Sequence, residues 1–143
     1  MLYTNKPANK LKQTLIMLED TFDQLDESIQ ELEQNAQSAD LAQLLPIGAT
    51  IVKNTLLAFA SAHKKNMPQS DDLLELLKAF VKGDPSLNAV RDNVREIVYY
   101  QNCLAENRFD VLPAKPEKML AHTVRHIYFY LRSRCEQENL FDE

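Results

Sequence analysis

Apolar residues recur between positions 11 and 32 in alternating steps of four and three: Leu11, Leu15, Leu18, Phe22, Leu25, Ile29 and Leu32. On an α-helix that alternation places all seven on one narrow stripe, the a/d seam of a heptad repeat. No Pro or Gly interrupts them, and Glu19, Asp20, Asp23, Asp26, Glu27, Glu31 and Glu33 keep the other faces polar. The pattern predicts a first helix from about Ala8 to Asn35. Its seam demands a long apolar groove, supplied by the rest of the chain or by a second copy.

The segment Asn35 to Asp40 is small and polar, a turn in which Ser38 or Asp40 is placed to cap the next helix. Pro46 can begin a helix but breaks one from within. The second helix is therefore expected from Pro46 or Ile47 to His63, with a short turn of helix before it. Its face of Ile47, Ile51, Val52, Thr55, Leu56, Phe59 and Ala60 is broad and has few charges, which makes it central. Lys64 to Gln69, with a good N-cap in Ser70 directly after it, reads as a loop, and Asp71 and Asp72 lie in the first turn of a third helix. That helix carries Leu73, Leu74, Leu76, Leu77, Phe80 and Val81 and stops at Gly83, a suitable left-handed terminator.

Asp84-Pro85 restarts the chain as N-cap and first helical residue of a fourth helix, running to about Glu106 on Leu87, Val90, Val94, Ile97, Val98 and Leu104. Asn107 to Lys115 is the longest irregular stretch. Pro116 opens a fifth helix to about Glu138 on Leu120, Val124, Ile127 and Leu131. No stretch alternates with period two, and no internal repeat occurs. The expectation is an all-α fold, five helices in an antiparallel or orthogonal bundle, forming one domain over residues 1–143.

Composition agrees with this reading: two Gly and no Trp in 143 residues suit helices rather than turns and strands. A chain of this size buries about 68–70% of its unfolded surface, so it needs neither metal nor disulfide for stability. Cys103 and Cys135 form no CxxC pair and read as thiols of a reducing compartment. Met1 to Lys10 has no apolar core of a signal peptide, and the longest apolar runs fall short of the ~20 residues of a membrane helix. A cytoplasmic protein without a membrane segment is expected.

The net charge of −5 is unevenly placed. Residues 1–40 hold three Lys against eight acids, whereas residues 41–143 hold thirteen of each sign. The acidity belongs to the first helix. General attraction to nucleic acid is not expected, and only a local basic face could provide it.

From Leu45 to Arg134 the layout resembles the HEPN superfamily of prokaryotic helical domains. A long apolar helix is followed by a Pro-containing loop and a polar-Asp-Leu motif opening the next helix, here Met67-Pro68-Gln69-Ser70-Asp71-Asp72-Leu73-Leu74. A later helix ends in an Arg-aromatic-Asp step, here Arg108-Phe109-Asp110, before Val111-Leu112-Pro113 and the last helix. The resemblance covers about two-thirds of the chain and implies a dimer associated with RNA metabolism or with a nucleotidyltransferase partner. Members that cut RNA carry Arg, four to six residues, then His. Arg91, Arg95, Arg108, Arg125, Arg132 and Arg134 all lack a His at that spacing, so the resemblance implies a non-catalytic member.

Candidate chemistry concentrates in the fifth helix. His122 and His126 share a face, but a zinc site wants a third protein ligand, and neither HExxH nor clustered Cys supplies one. No metal is expected, and the histidines read as boundary-layer residues. From His122 to Arg134 there is no acid. Arg125, Tyr128, Phe129 and Arg132 lie near one another on the helix, where cations between aromatics can contact phosphates and stack on bases.

With Arg108, His122 and His126 these residues make a candidate RNA or ligand face. The structural alternative packs Tyr128 or Phe129 in the core and pairs the arginines with the acids of the first helix. Tyr99 and Tyr100, near Cys103 and Arg95, could line a pocket with the 107–115 loop; buried tyrosines more commonly just find a hydroxyl partner. Cys103 has no His placed to activate it. No Gly-rich phosphate loop, GxSxG or paired-carboxylate signature is present, so neither catalytic residues nor a cofactor are expected.

The seam is the strongest functional pointer. It predicts a non-catalytic interaction or regulatory protein that acts as a homodimer or through a protein partner. The alternative is a HEPN-like, RNA-associated protein of the toxin–antitoxin or nucleotidyltransferase-partner type, or an RNase with an unconventional site around Arg108, Arg125 and His126.

Overall fold

A computed structural model describes residues 7–141, with side chains from Leu18 onward. Among these residues the fold is all-α: α1 (Pro7–Asn35), α2 (Leu41–Ala62), α3 (Leu73–Val81), α4 (Arg91–Ala105) and α5 (Pro116–Gln137), with 3-10 turns at Pro85–Val90 and Phe109–Val111. No strand occurs among them.

The start of α2 differs from expectation. Asp40 accepts from the Gln43 amide while the Gln43 side chain accepts from the Asp40 amide, each at 3.1 Å. This reciprocal capping box starts the helix at Leu41, a full turn before Pro46, and leaves Pro46 inside it. The Leu41 amide, one of the orphan donors of that first turn, donates to Glu117 at 3.0 Å on α5. Pro46 removes only the bond to the exposed Ala42, so the helix tolerates it.

Asp72, rather than Ser70, caps α3, accepting from the amides of Leu74 at 2.9 Å and Glu75 at 3.4 Å. The Ser70 hydroxyl accepts from the Asp72 amide at 3.0 Å and holds the cap in place. The expected fourth helix is divided: Asp84 accepts from the Ser86 hydroxyl at 2.5 Å, and a 3-10 turn precedes α4.

Contacts at the helix ends set the directions. Leu41 meets Glu117 at one end and His63 meets Glu138 at 2.7 Å at the other, so α2 and α5 run parallel. Glu33 with Arg125 and Asp23 with Arg132 make α1 antiparallel to α5. Lys53 with Asp71 and Phe59 with Phe80 make α3 parallel to α2, because the intervening loop returns to the middle of α2 before α3 begins.

The core lies around α2 and α5, with α1 on one side and α3 and α4 on the other. Phe22, Ile29, Val52, Leu56, Phe59, Phe80, Ile97, Leu120 and Ile127 are fully buried in it. By length and composition α2 could cross a membrane, with a mean hydropathy of 1.4, but half of that window is buried within this bundle.

Candidate functional site

Two of the predicted features meet along α1. Of the seam, Phe22, Leu25, Ile29 and Leu32 are buried against the bundle and Leu18 is half-buried against the same core. Leu11 and Leu15 lie outside the described side chains. The cover over the seam comes from α2, which ends at Ala62, and α5, which ends at Gln137. The Phe22 ring meets Tyr128, midway along α5, at 5.9 Å and Phe141, beyond α5, at 5.5 Å.

The candidate RNA or ligand face is built into the join between α5 and α1. Arg125 donates to both carboxylate oxygens of Glu33 through the Nε–Nη2 edge of its guanidinium, at 2.5 and 3.0 Å, and to Asp26 through Nη1 at 3.1 Å. This bidentate pairing to Glu33, with Asp26 adding to it, holds the Arg125 pKa above its ordinary value. Arg132 reaches Asp23 at 2.9 Å and donates to the Tyr128 hydroxyl at 2.5 Å. Burial pulls the Arg132 pKa down, but the bonds to Tyr128 and Asp23 outweigh it and leave it raised.

Tyr128 is buried and donates its hydroxyl proton to the Phe22 carbonyl at 3.0 Å, while burial raises its pKa. Phe129 stays 53% exposed, with the Arg125 guanidinium 5.3 Å from its ring centre. The structural alternative for this run is therefore the arrangement found: Tyr128 goes inside, and both arginines are held by acids of α1.

His122 and His126 face outward, and among the described residues no group of three His, Cys, Asp or Glu is placed to hold a metal ion. Arg108 pairs locally with Asp110 at 3.1 Å, and no bond joins it to Arg125 or His126. Tyr100 is buried and donates to Glu96 at 2.6 Å; burial, then this carboxylate, push its pKa up. The exposed Tyr99 reaches the Val111 carbonyl at 3.5 Å. The hollow beside the 107–115 loop is lined by Leu41, Leu104, Phe109, Leu112 and Pro113, and neither tyrosine lines it.

One cluster escaped the sequence reading. Lys78 on α3 and Arg91 and Arg95 on α4 border a common groove. Its only trace in the sequence is the Arg91/Arg95 spacing of four, which puts two like charges on one helix face. Comparison with protein-family models, curated proteins and solved structures finds no match to this chain.

Proposed function

We propose that this chain is a non-catalytic helical interaction protein that self-associates through the amino-terminal part of the α1 seam. The observation that carries the reading is the mismatch between seam and cover. Among the described side chains burial along the seam falls from the fully buried Phe22 to the half-buried Leu18, whereas the heptad spacing in the sequence continues through Leu15 and Leu11.

An antiparallel pairing of two copies about Leu15 fits the charge order. Lys6, Lys10 and Lys12 precede Leu15, and Glu19 and Asp20 come after it, so antiparallel copies set opposite charges side by side. A parallel pairing would set like charges together. Such an interface is two-fold and closes on itself as a dimer.

Light scattering tests the reading. The expected mass is two chains of 16.4 kDa each. Leu15→Asp should yield a folded single chain, whereas Leu25→Asp should unfold the bundle, because Leu25 is buried within its own chain. A wild-type monomer at high concentration, or a dimer indifferent to Leu15→Asp, refutes the proposal.

The HEPN-like, RNA-associated alternative draws support from the outward-facing His122, His126 and Phe129. It gains nothing from Arg125 and Arg132, whose guanidiniums already hold carboxylates. Absence of RNA binding at low salt removes it.

A further inference from the structure

Four of the six arginines are spoken for. Arg125 and Arg132 hold acids of α1, Arg108 holds Asp110, and Arg134 lies between Asp84 at 3.9 Å and Glu138 at 3.6 Å while bonding the Ser86 hydroxyl at 3.1 Å. The two exceptions are both on α4. Arg95 has no carboxylate partner among the described residues, and Arg91 has only its neighbour Asp92, at 3.9 Å. Both border the groove between α3 and α4, about 420 Å³ in volume, as does Lys78, which is likewise unpaired among the described residues. Leu74, Leu77 and Val81 supply its apolar wall, and Leu74 remains 45% exposed. Arg108, Arg125, Arg132 and Arg134 are matched with acids; here two arginines and a lysine flank the partly exposed Leu74, with Glu75 the one acid among the lining residues.

We infer that the α3–α4 groove is a docking site for an acidic amphipathic helix of another protein, one that sets a leucine-type side chain against Leu74 and Val81 and carboxylates against Lys78, Arg91 and Arg95. Charge complementarity selects the acidic partner, since burying the apolar wall under a neutral or basic segment would leave three cations facing no counter-charge. A helix is the fitting backbone form. The groove walls are helices with their own backbone bonds closed, so an extended segment would find no sheet edge to pair with, whereas a helix satisfies itself.

A second copy of this chain is a poor occupant. In the sequence the amino end of the leucine stripe is flanked by Lys6, Lys10 and Lys12, like charges to those of the groove. The acidic part of α1 has its apolar side buried already. The acidic carboxyl end is also engaged, with Phe141 packed on Phe22 at 5.5 Å.

The test uses the full chain and three fluorescein-labelled synthetic peptides. One is a helical peptide with Leu at helical spacing and Glu on its flanks. The second has the same residues scrambled, and the third has Lys in place of Glu. Anisotropy should show binding of the first alone, weakening as salt rises. Arg91→Glu with Arg95→Glu should weaken it about tenfold while far-UV dichroism and Tm stay put.

Amide shift mapping on the unmutated protein should place the peptide on α3 and α4, which keeps the test decisive if the charge-reversed variant misfolds. Equal binding of the scrambled peptide, binding mapped elsewhere, or no binding at low salt overturns the proposal. So does a single-stranded RNA that binds the same residues more tightly than the acidic peptide, since the groove would then be a nucleic-acid surface.

Discussion

Gly48→Ala is a substitution whose sign depends on how tightly α2 and α5 approach. Taken as a helix alone, α2 should welcome the change, because Ala is favoured over Gly in a helix interior by about 1 kcal/mol. The parallel packing on α5 opposes it. A β-carbon at position 48 would stand 3.1 Å from Leu120 Cδ1, 3.3 Å from Cδ2 and 3.4 Å from Cγ. Leu120 is fully buried, so its end cannot swing into solvent.

Overpacking of this kind costs about 1–3 kcal/mol, leaving a net loss of up to about 2 kcal/mol after the helical gain. For a chain of this length that is a fall in Tm of up to roughly 6 °C. Calorimetry and urea melts with an unchanged m-value would measure it. Leu120→Ala alone should cost about 2–5 kcal/mol, and the double variant should cost less than the sum by about 1 kcal/mol, because the new methyl then enters the space that Leu120 vacated. A Gly48→Ala protein stabilised by the full helical gain, or strict additivity in the cycle, would refute the close α2–α5 packing.

The same contacts set other outcomes. Arg125→Met should keep most of the side chain's packing but strand Glu33 and Asp26, costing about 1–2 kcal/mol once partial exposure is allowed for, with the loss shrinking at high salt; a salt-independent loss would count against the ion-pair account. Pro46→Ala should restore the bond to the Ala42 carbonyl and raise stability by about 1–3 kcal/mol, and a lower Tm would contradict the placement of Pro46 inside α2. Burial pushes the Cys135 thiol from an ordinary 9.0 up to about 12. Its contribution to stability is thus complete below pH 9.0 and is lost as the pH rises through about 12, since the unfolded chain ionises first. In a Cys103→Ser background, alkylation near neutral pH should track global unfolding as read by mass spectrometry, and rapid labelling of the folded protein would show that Cys135 is not sealed.

The alternation of four and three from Leu11 to Leu32, and the apolar spacing within the later segments, determined by themselves that the chain is helical and which side of most helices turns inward. This was legible because helical periodicity is local: a residue and its neighbours three and four places on share a face whatever the rest of the chain does. The lower half of the seam met that expectation at Phe22, Leu25, Ile29 and Leu32.

What required the tertiary structure were choices between groups competing for one partner. Asp40 with Gln43 outran Pro46 in setting the start of α2, and Asp72 took the cap that Ser70 could also have supplied. The arginines of α5 could face phosphates or acids with equal local sense. Only the antiparallel approach of α1, bringing Asp23, Asp26 and Glu33 within reach, decided for the acids. By the same logic Arg91 and Arg95 stand out only after the other arginines have found their carboxylates, because a charge without a partner is a property of the whole fold and not of any segment.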